Sequence, residues 1–374
     1  GGNTTWIYKQ DLKDQGQPHE ITIYTLNYIV PDSARPSEIE VTGCDGFCPN
    51  DLVIPSSIEG KTVISIGAQS FWAPEGDGSI SSISLPGSLI KIGQEAFRGN
   101  SLTSISIPDS VTEIGNGAFQ YNDLSTVTIG EGVVGIGRNA FSNNKITSLT
   151  LPDSVLTVEY YAFASNLLEE LTLPESISNL GDGVFSDNRL AEVVIPSNWT
   201  SIPELTFGTN RLTTVSIPNG VTSIGDQAFY TNSIESLNFG AGVVSIGRFA
   251  FGYNSLDQID VPDSVENIGA YSFYRSGSMS NLTLGNKVAT IGEFAFYEHS
   301  FTSITLPTSV LEIDQSAFYG SFEQNLLSLH FQGNRPTADS EAFLNNPNLS
   351  AITYCSGTNG WPGQAISNGT TTVP

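Results

Sequence analysis

Three histidines, three cysteines and one methionine are a small stock for metal or nucleophilic chemistry. His19, His299 and His330 lie far apart, and none stands at motif spacing from a Ser or Cys it could activate. No Gly-rich phosphate loop joins a strand to a helix, and no two histidines have metal-ligand spacing. The best acidic pair is Glu170 and Glu192, at one strand position of adjacent repeats. Strand spacing would put their Cα atoms about 5 Å apart, which suits a retaining glycosidase. A solvated sheet face in so acidic a chain accounts for both without catalysis. Asp109, Asp153 and Asp263 stand in turns as candidate calcium ligands. One carboxylate per repeat is too few unless loop carbonyls supply the remaining oxygens. The expectation is a chain with no enzymatic activity, no metal site and no cofactor, calcium being the one ion in view.

Cys44 and Cys48 are close enough in a turn for a disulfide that would tie the N-terminal region, as an oxidising compartment permits. Two unpaired thiols are the alternative, and a zinc site lacks a second ligand pair. Cys355 is the odd cysteine, a lone thiol or an intermolecular link.

The 374 residues include 38 Asp and Glu against 14 Lys and Arg, a net charge of −24. That balance excludes nucleic acid, whose phosphates need clustered cations. With 39% hydrophobic residues and 20 Phe the chain is too apolar for disorder. No apolar run is long enough for a transmembrane helix, so membrane insertion is not expected.

The elements that position these residues come from a repeat. Phe97, Phe119, Phe141, Phe163, Phe185, Phe207, Phe229, Phe251 and Phe273 recur every 22 residues, flanked by Phe71 before and by Phe296, Phe318 and Phe343 after. Each lies five residues after an apolar residue that is usually followed by Gly, as in Ile92-Gly93 or Ile246-Gly247, where glycine permits a sharp bend. Ala96-Phe97 and Ala228-Phe229 place a large ring beside a small residue. Runs such as Leu102, Ile105, Ile107 alternate with period two and predict a short strand with one buried face. Pro108 and its counterparts then end the strand, and Pro-Asp-Ser-Val forms a turn. One such unit cannot bury its apolar residues, but stacked units can, which predicts a parallel β solenoid.

The motif Leu-x-x-Ile-x-Ile-Pro-x-Ser-Val-x-x-Ile-Gly-x-x-Ala-Phe resembles the BspA-like (Treponema pallidum type) leucine-rich repeat, over roughly residues 51 to 354. The resemblance implies a β-rich, curved right-handed solenoid with a parallel sheet on one face. It also implies a bacterial or protist surface or secreted protein that attaches to host proteins, cells or matrices. Export is expected from this resemblance and the cysteine pattern, not from a targeting segment. Residues 51–355 would form 12 to 13 rungs. Residues 1–50, with Ile21, Ile23, Thr25 and Ile39-Glu40-Val41, read as a β-hairpin cap, and 356–374 as a cap or linker tail that includes Trp361-Pro362-Gly363. The family often has Cys three residues after the Phe. Here Asn100, Asn122, Asn144, Asn166, Asn188, Asn210, Asn232 and Asn254 stand there, and a structural Asn ladder that satisfies loop amides is expected.

Two surfaces could meet a partner. Ser106, Thr128, Thr150, Thr172, Ser216, Thr283 and Thr305 face outward from the strands, as β-propensity and solubility alone would have it. Regular Thr ladders can also hold an extended polymer. The more informative feature is aromatic. Tyr230, Tyr274, Tyr297 and Tyr319 directly follow the core Phe, and Tyr253 is one residue later in its rung. Tyr271, Phe249 and Phe294 precede the Phe by two. Stacked rings covering the lateral loops would explain them. An aromatic strip is also a physical means of holding a protein or a sugar ring. The function expected is adhesion to an extracellular protein or polysaccharide. A carbohydrate-binding module and a purely structural spacer are the alternatives.

Overall fold

The computed structural model describes residues 4–10, 22–74, 78–320, 326–355, 366–367 and 372–373. The chain forms two compact units, residues 1–188 and 189–374. Each is a stretch of parallel β solenoid, and no helix occurs among the described residues. The tail assigned above to 356–374, with its Trp361-Pro362-Gly363, falls almost wholly outside them, as does His19.

The first unit opens on an antiparallel meander. Strand β1 (Thr4–Gln10) pairs with β2 (Thr22–Ile29), and β2 pairs with β3 (Glu38–Cys44). The third strand then runs parallel to Lys61–Ile66 and so joins the rung ladder. A hairpin was legible in the alternation after Glu20, whereas β1 lies in a stretch with no clear periodicity.

Most rungs contribute two strands. The alternating runs form short parallel pairs, such as Ser104–Ser106 with Thr126–Thr128 in the first unit and Thr214–Ser216 with Ser236–Asn238 in the second. Their central residues point inward, and Ser106, Thr128, Thr150, Thr172, Ser216, Thr283 and Thr305 are exposed. The Ile-Gly step is not merely a bend. Its residues build a second parallel ladder, Lys91–Ile92, Glu113–Ile114, Gly135–Ile136, Thr157–Val158 and Asn179–Leu180 in the first unit. Ser201–Ile202 through Thr337–Ala338 form its counterpart in the second. Glycine follows the ladder for steric reasons. A Cβ on Gly115 would sit 2.6 Å from the backbone of Gly93 and Gln94, and one on Gly247 2.6 Å from Gly225. Glycine lets the backbones approach this closely without that clash, while rungs with Glu159, Pro203 or Asp314 at the same position keep the ladder with a side chain there.

The core is a column of phenylalanine rings. In the first unit Phe71, Phe97, Phe119, Phe141, Phe163 and Phe185 stack at 5.2 to 6.1 Å, within 10° of parallel. In the second unit Phe207 to Phe343 repeat the pattern at 5.3 to 5.6 Å. The rings from Phe97 onward are fully buried. The turn motif is used residue by residue. Asp109 Oδ1 accepts the Glu131 N–H of the next rung at 3.0 Å, Ser110 Oγ donates to the Leu89 carbonyl of the previous one at 2.6 Å, and Val111 is buried.

Candidate binding surface

The lateral turn that carries each core Phe has a special backbone. From Phe97 to Phe296 the residues two before and two after the ring take left-handed φ, mostly near +55°, for example Asn139 and Asn143 around Phe141, or Phe249 and Tyr253 around Phe251. The reason lies in the hydrogen bonds. The N–H groups of Asn139, Phe141 and Asn143 all donate to the next rung, at the carbonyls of Tyr160, Ala162 and Ala164. Those of Phe249, Phe251 and Tyr253 do the same to Ala270, Ser272 and Tyr274. A left-handed residue costs an ordinary side chain about 1 kcal/mol or more, so Gly, Asn and Asp are the expected occupants. The first unit often has them, as at Gly99, Gly117, Asn139, Asn143, Gly183 and Asp187. The second unit instead places Phe249, Tyr271 and Phe294 in three consecutive rungs, with Tyr253 nearby.

These rings meet. Phe249, Tyr271 and Phe294 form one stacked column, with centroids 4.6 and 5.0 Å apart. Tyr274, Tyr297 and Tyr319 form a second, at 4.7 and 4.6 Å. Tilted or edge-on contacts tie the columns together, Tyr271 to Tyr274 and Phe294 to Tyr297, both at 5.5 Å. Tyr230 and Tyr253 extend the patch, packing edge-on at 5.5 Å. All six sequence-predicted tyrosines therefore join one strip. Most are half-buried, and Tyr253 is 38% exposed.

Charge surrounds the strip. The Arg248 guanidinium lies 5.3 Å from the Phe249 centroid and 5.5 Å from that of Tyr271, and Arg275 lies 5.6 and 6.0 Å from Tyr274 and Tyr297. Arg275 also pairs with Glu298, with nitrogen–oxygen distances of 3.0 and 3.1 Å. The Tyr271 hydroxyl donates to Glu293 Oε1 at 3.3 Å. Burial, followed by nearby Glu293 or Glu298, holds the phenols of Tyr271 and Tyr297 above the usual tyrosine range, and burial does the same for Tyr274. The two arginines and two glutamates escaped the sequence reading, although each stands next to an aromatic already singled out.

The Asn residues form rung staples. Asn144 Nδ2 donates to the carbonyls of Phe119 and Phe141 at 2.9 and 3.0 Å, and its Oδ1 accepts the Leu124 N–H at 3.0 Å. Asn122, Asn166, Asn188, Asn232 and Asn254 make the same three bonds, and Asn100 and Asn210 show parts of the set. His299 replaces Asn in one rung and is fully buried. Its Nδ1 accepts the Phe301 N–H at 3.1 Å, so Nε2 carries the proton and donates to the Phe318 carbonyl at 3.1 Å. Burial pushes its pKa down to about 4.

The remaining candidates are dispersed. Cys44 and Cys48 are joined by a disulfide at the end of β3. Cys355 is exposed after the last rung strand, its sulfur 4.0 Å from His330 Nε2. Glu170 and Glu192 belong to different units, and Glu192 lies outside any strand, so the shared strand position read from the sequence does not hold. The Asp109 and Asp263 carboxylates accept backbone N–H groups of following turns. Among the described residues no group of three or more His, Cys, Asp or Glu could hold a metal ion. No helix among them is long and apolar enough to cross a membrane.

Comparison with known proteins agrees with this architecture. The chain is similar in fold to the pneumococcal vaccine antigen PcpA, with 21% identity and a TM-score of 0.63 over 89% of this chain and 92% of that one. It is also similar to a leucine-rich repeat protein from Bacteroides ovatus, with 22% identity and a TM-score of 0.58 over 87% and 92%. No curated protein matches it significantly. The BspA type leucine rich repeat region matches in six copies, over residues 50–167, 135–255 and 244–372. Rungs, phenylalanine column and matched residues together place this chain in the BspA-type leucine-rich repeat family.

Proposed function

We propose that the protein is a non-enzymatic binding protein of the cell surface or extracellular space, and that the lateral aromatic strip of the second unit holds its protein or glycan partner. The observation that carries this reading is the set of aromatics at successive left-handed positions. Backbone strain of about 1 kcal/mol at each works against folding, where Gly or Asn would relieve it. Large rings kept at such positions and left partly exposed are what a contact surface needs. Solved relatives in fold include a vaccine antigen, in keeping with a surface location. A rigid repeat also presents its surface with little ordering cost on binding.

The test is a glycan array run beside a panel of matrix proteins, with wild-type protein and the Tyr274→Ala/Tyr297→Ala variant. A partner should be retained by the wild type and its affinity should fall tenfold or more in the variant, about 1.4 kcal/mol. Equal binding by both proteins would show that the strip does not hold the partner.

A further inference from the structure

Resting on the strip as the contact surface, we infer that its partner is a basic, extended segment of another protein, held through arginine or lysine side chains. The first argument is charge. The chain carries −24, and the rungs bearing the strip are acidic. Glu293 sits beside the Tyr271 hydroxyl with no cationic partner among the described residues, whereas Glu298, one residue after Tyr297, is already paired with Arg275. An anionic glycan would be repelled here, and a neutral one would leave that charge uncompensated.

The second argument is that the strip already accommodates guanidinium groups. Arg248 and Arg275 each lie against two rings, and in the first unit Arg98 and Arg138 rest over Tyr121 and Tyr160 at 5.4 and 5.0 Å. Guanidinium combines a planar stacking face with donors that reach both carboxylate and phenol oxygen. Sugar stacking asks for something different, a bare ring face. Tyr271 and Tyr297 have neighbours stacked on both sides, so few such faces remain. A cation is satisfied at the margin of a column, as the two resident arginines show.

The experiment titrates the whole protein with a fluorescent Arg-Gly-Ser repeat peptide, and with Gln-Gly-Ser and Glu-Gly-Ser counterparts. Neutral polysaccharides are tested in parallel. Wild type should bind the basic peptide alone, more weakly as salt rises. Glu293→Gln and Tyr253→Ala/Tyr274→Ala should each lower affinity several-fold, while Glu170→Gln in the first unit should leave it unchanged. Circular dichroism checks that the variants fold, and the isosteric Glu293→Gln keeps the test decisive if the double variant does not. Equal losses from Glu170→Gln and Glu293→Gln would mean diffuse acidity, and the inference fails. A neutral glycan that binds wild type, needs Tyr274 and outcompetes the peptide would also overturn it, while leaving the strip as the binding surface. Binding of nothing at the strip would end both.

Discussion

At the residue scale, His299 makes the sharpest prediction. Its folded pKa of about 4 lies below the unfolded value near 6.5, so the unfolded chain binds the extra proton first. The contribution of neutral His299 is therefore whole above pH 6.5 and is lost as pH falls toward 4. By pH 5 the loss is about 2 kcal/mol from this linkage. Urea unfolding at pH 7 and pH 5 should show that drop in wild type beyond whatever His299→Asn shows. Equal pH dependence in the two proteins would refute the assignment. Ser272 gives the opposite sign. It stands where Ala228, Ala250 and Ala295 stand in other rungs, is fully buried, and its hydroxyl has no hydrogen-bond partner among the described residues. Ser272→Ala should stabilise the protein by about 1 kcal/mol, read as a raised thermal midpoint. The Phe column and the Asn staples were legible because both recur at a fixed offset. The role of His299 was not, because only the three-dimensional ladder shows which carbonyl its ring must reach.

At the scale of the rung, the Asn staple carries more than one bond. Removing it with Asn144→Ala leaves the buried Leu124 N–H without its acceptor and takes a donor from each of two Phe carbonyls. A loss of about 2 kcal/mol is expected, since one buried N–H left unpaired costs on the order of 1–3 kcal/mol, while Asn122 still donates to the Phe119 carbonyl and Asn166 to that of Phe141. Chemical denaturation measures it, and a loss under about 1 kcal/mol would show that water replaces the staple. The rung also shows where sequence reading stops. Glycine after Ile92 or Ile246 was legible as punctuation, yet its physical role is close approach, not a bend. The left-handed pair around the Phe rings from Phe97 to Phe296 was hidden, because Glu95, Tyr161, Leu205 and Phe249 share no residue type. Only the hydrogen bonds to the next rung explain why one backbone serves them all.

At the scale of the whole molecule, repetition builds a scaffold and departures from it mark the proposed contact surface. In the first unit most left-handed positions hold Gly, polar or charged residues, whereas the second concentrates aromatics over the rungs of Phe229 to Phe318. The sequence shows that concentration, but not that the rings form two columns flanked by paired and unpaired charges. We propose this strip, not the hydroxylated strand face, as the contact surface. Hydrogen exchange on the protein, free and bound to the partner retained on the panel, tests it most directly. Protection should concentrate on residues 249–253, 271–275 and 294–298. Protection confined to strands such as 214–216, 236–238 and 281–283, with the strip unchanged, would contradict it.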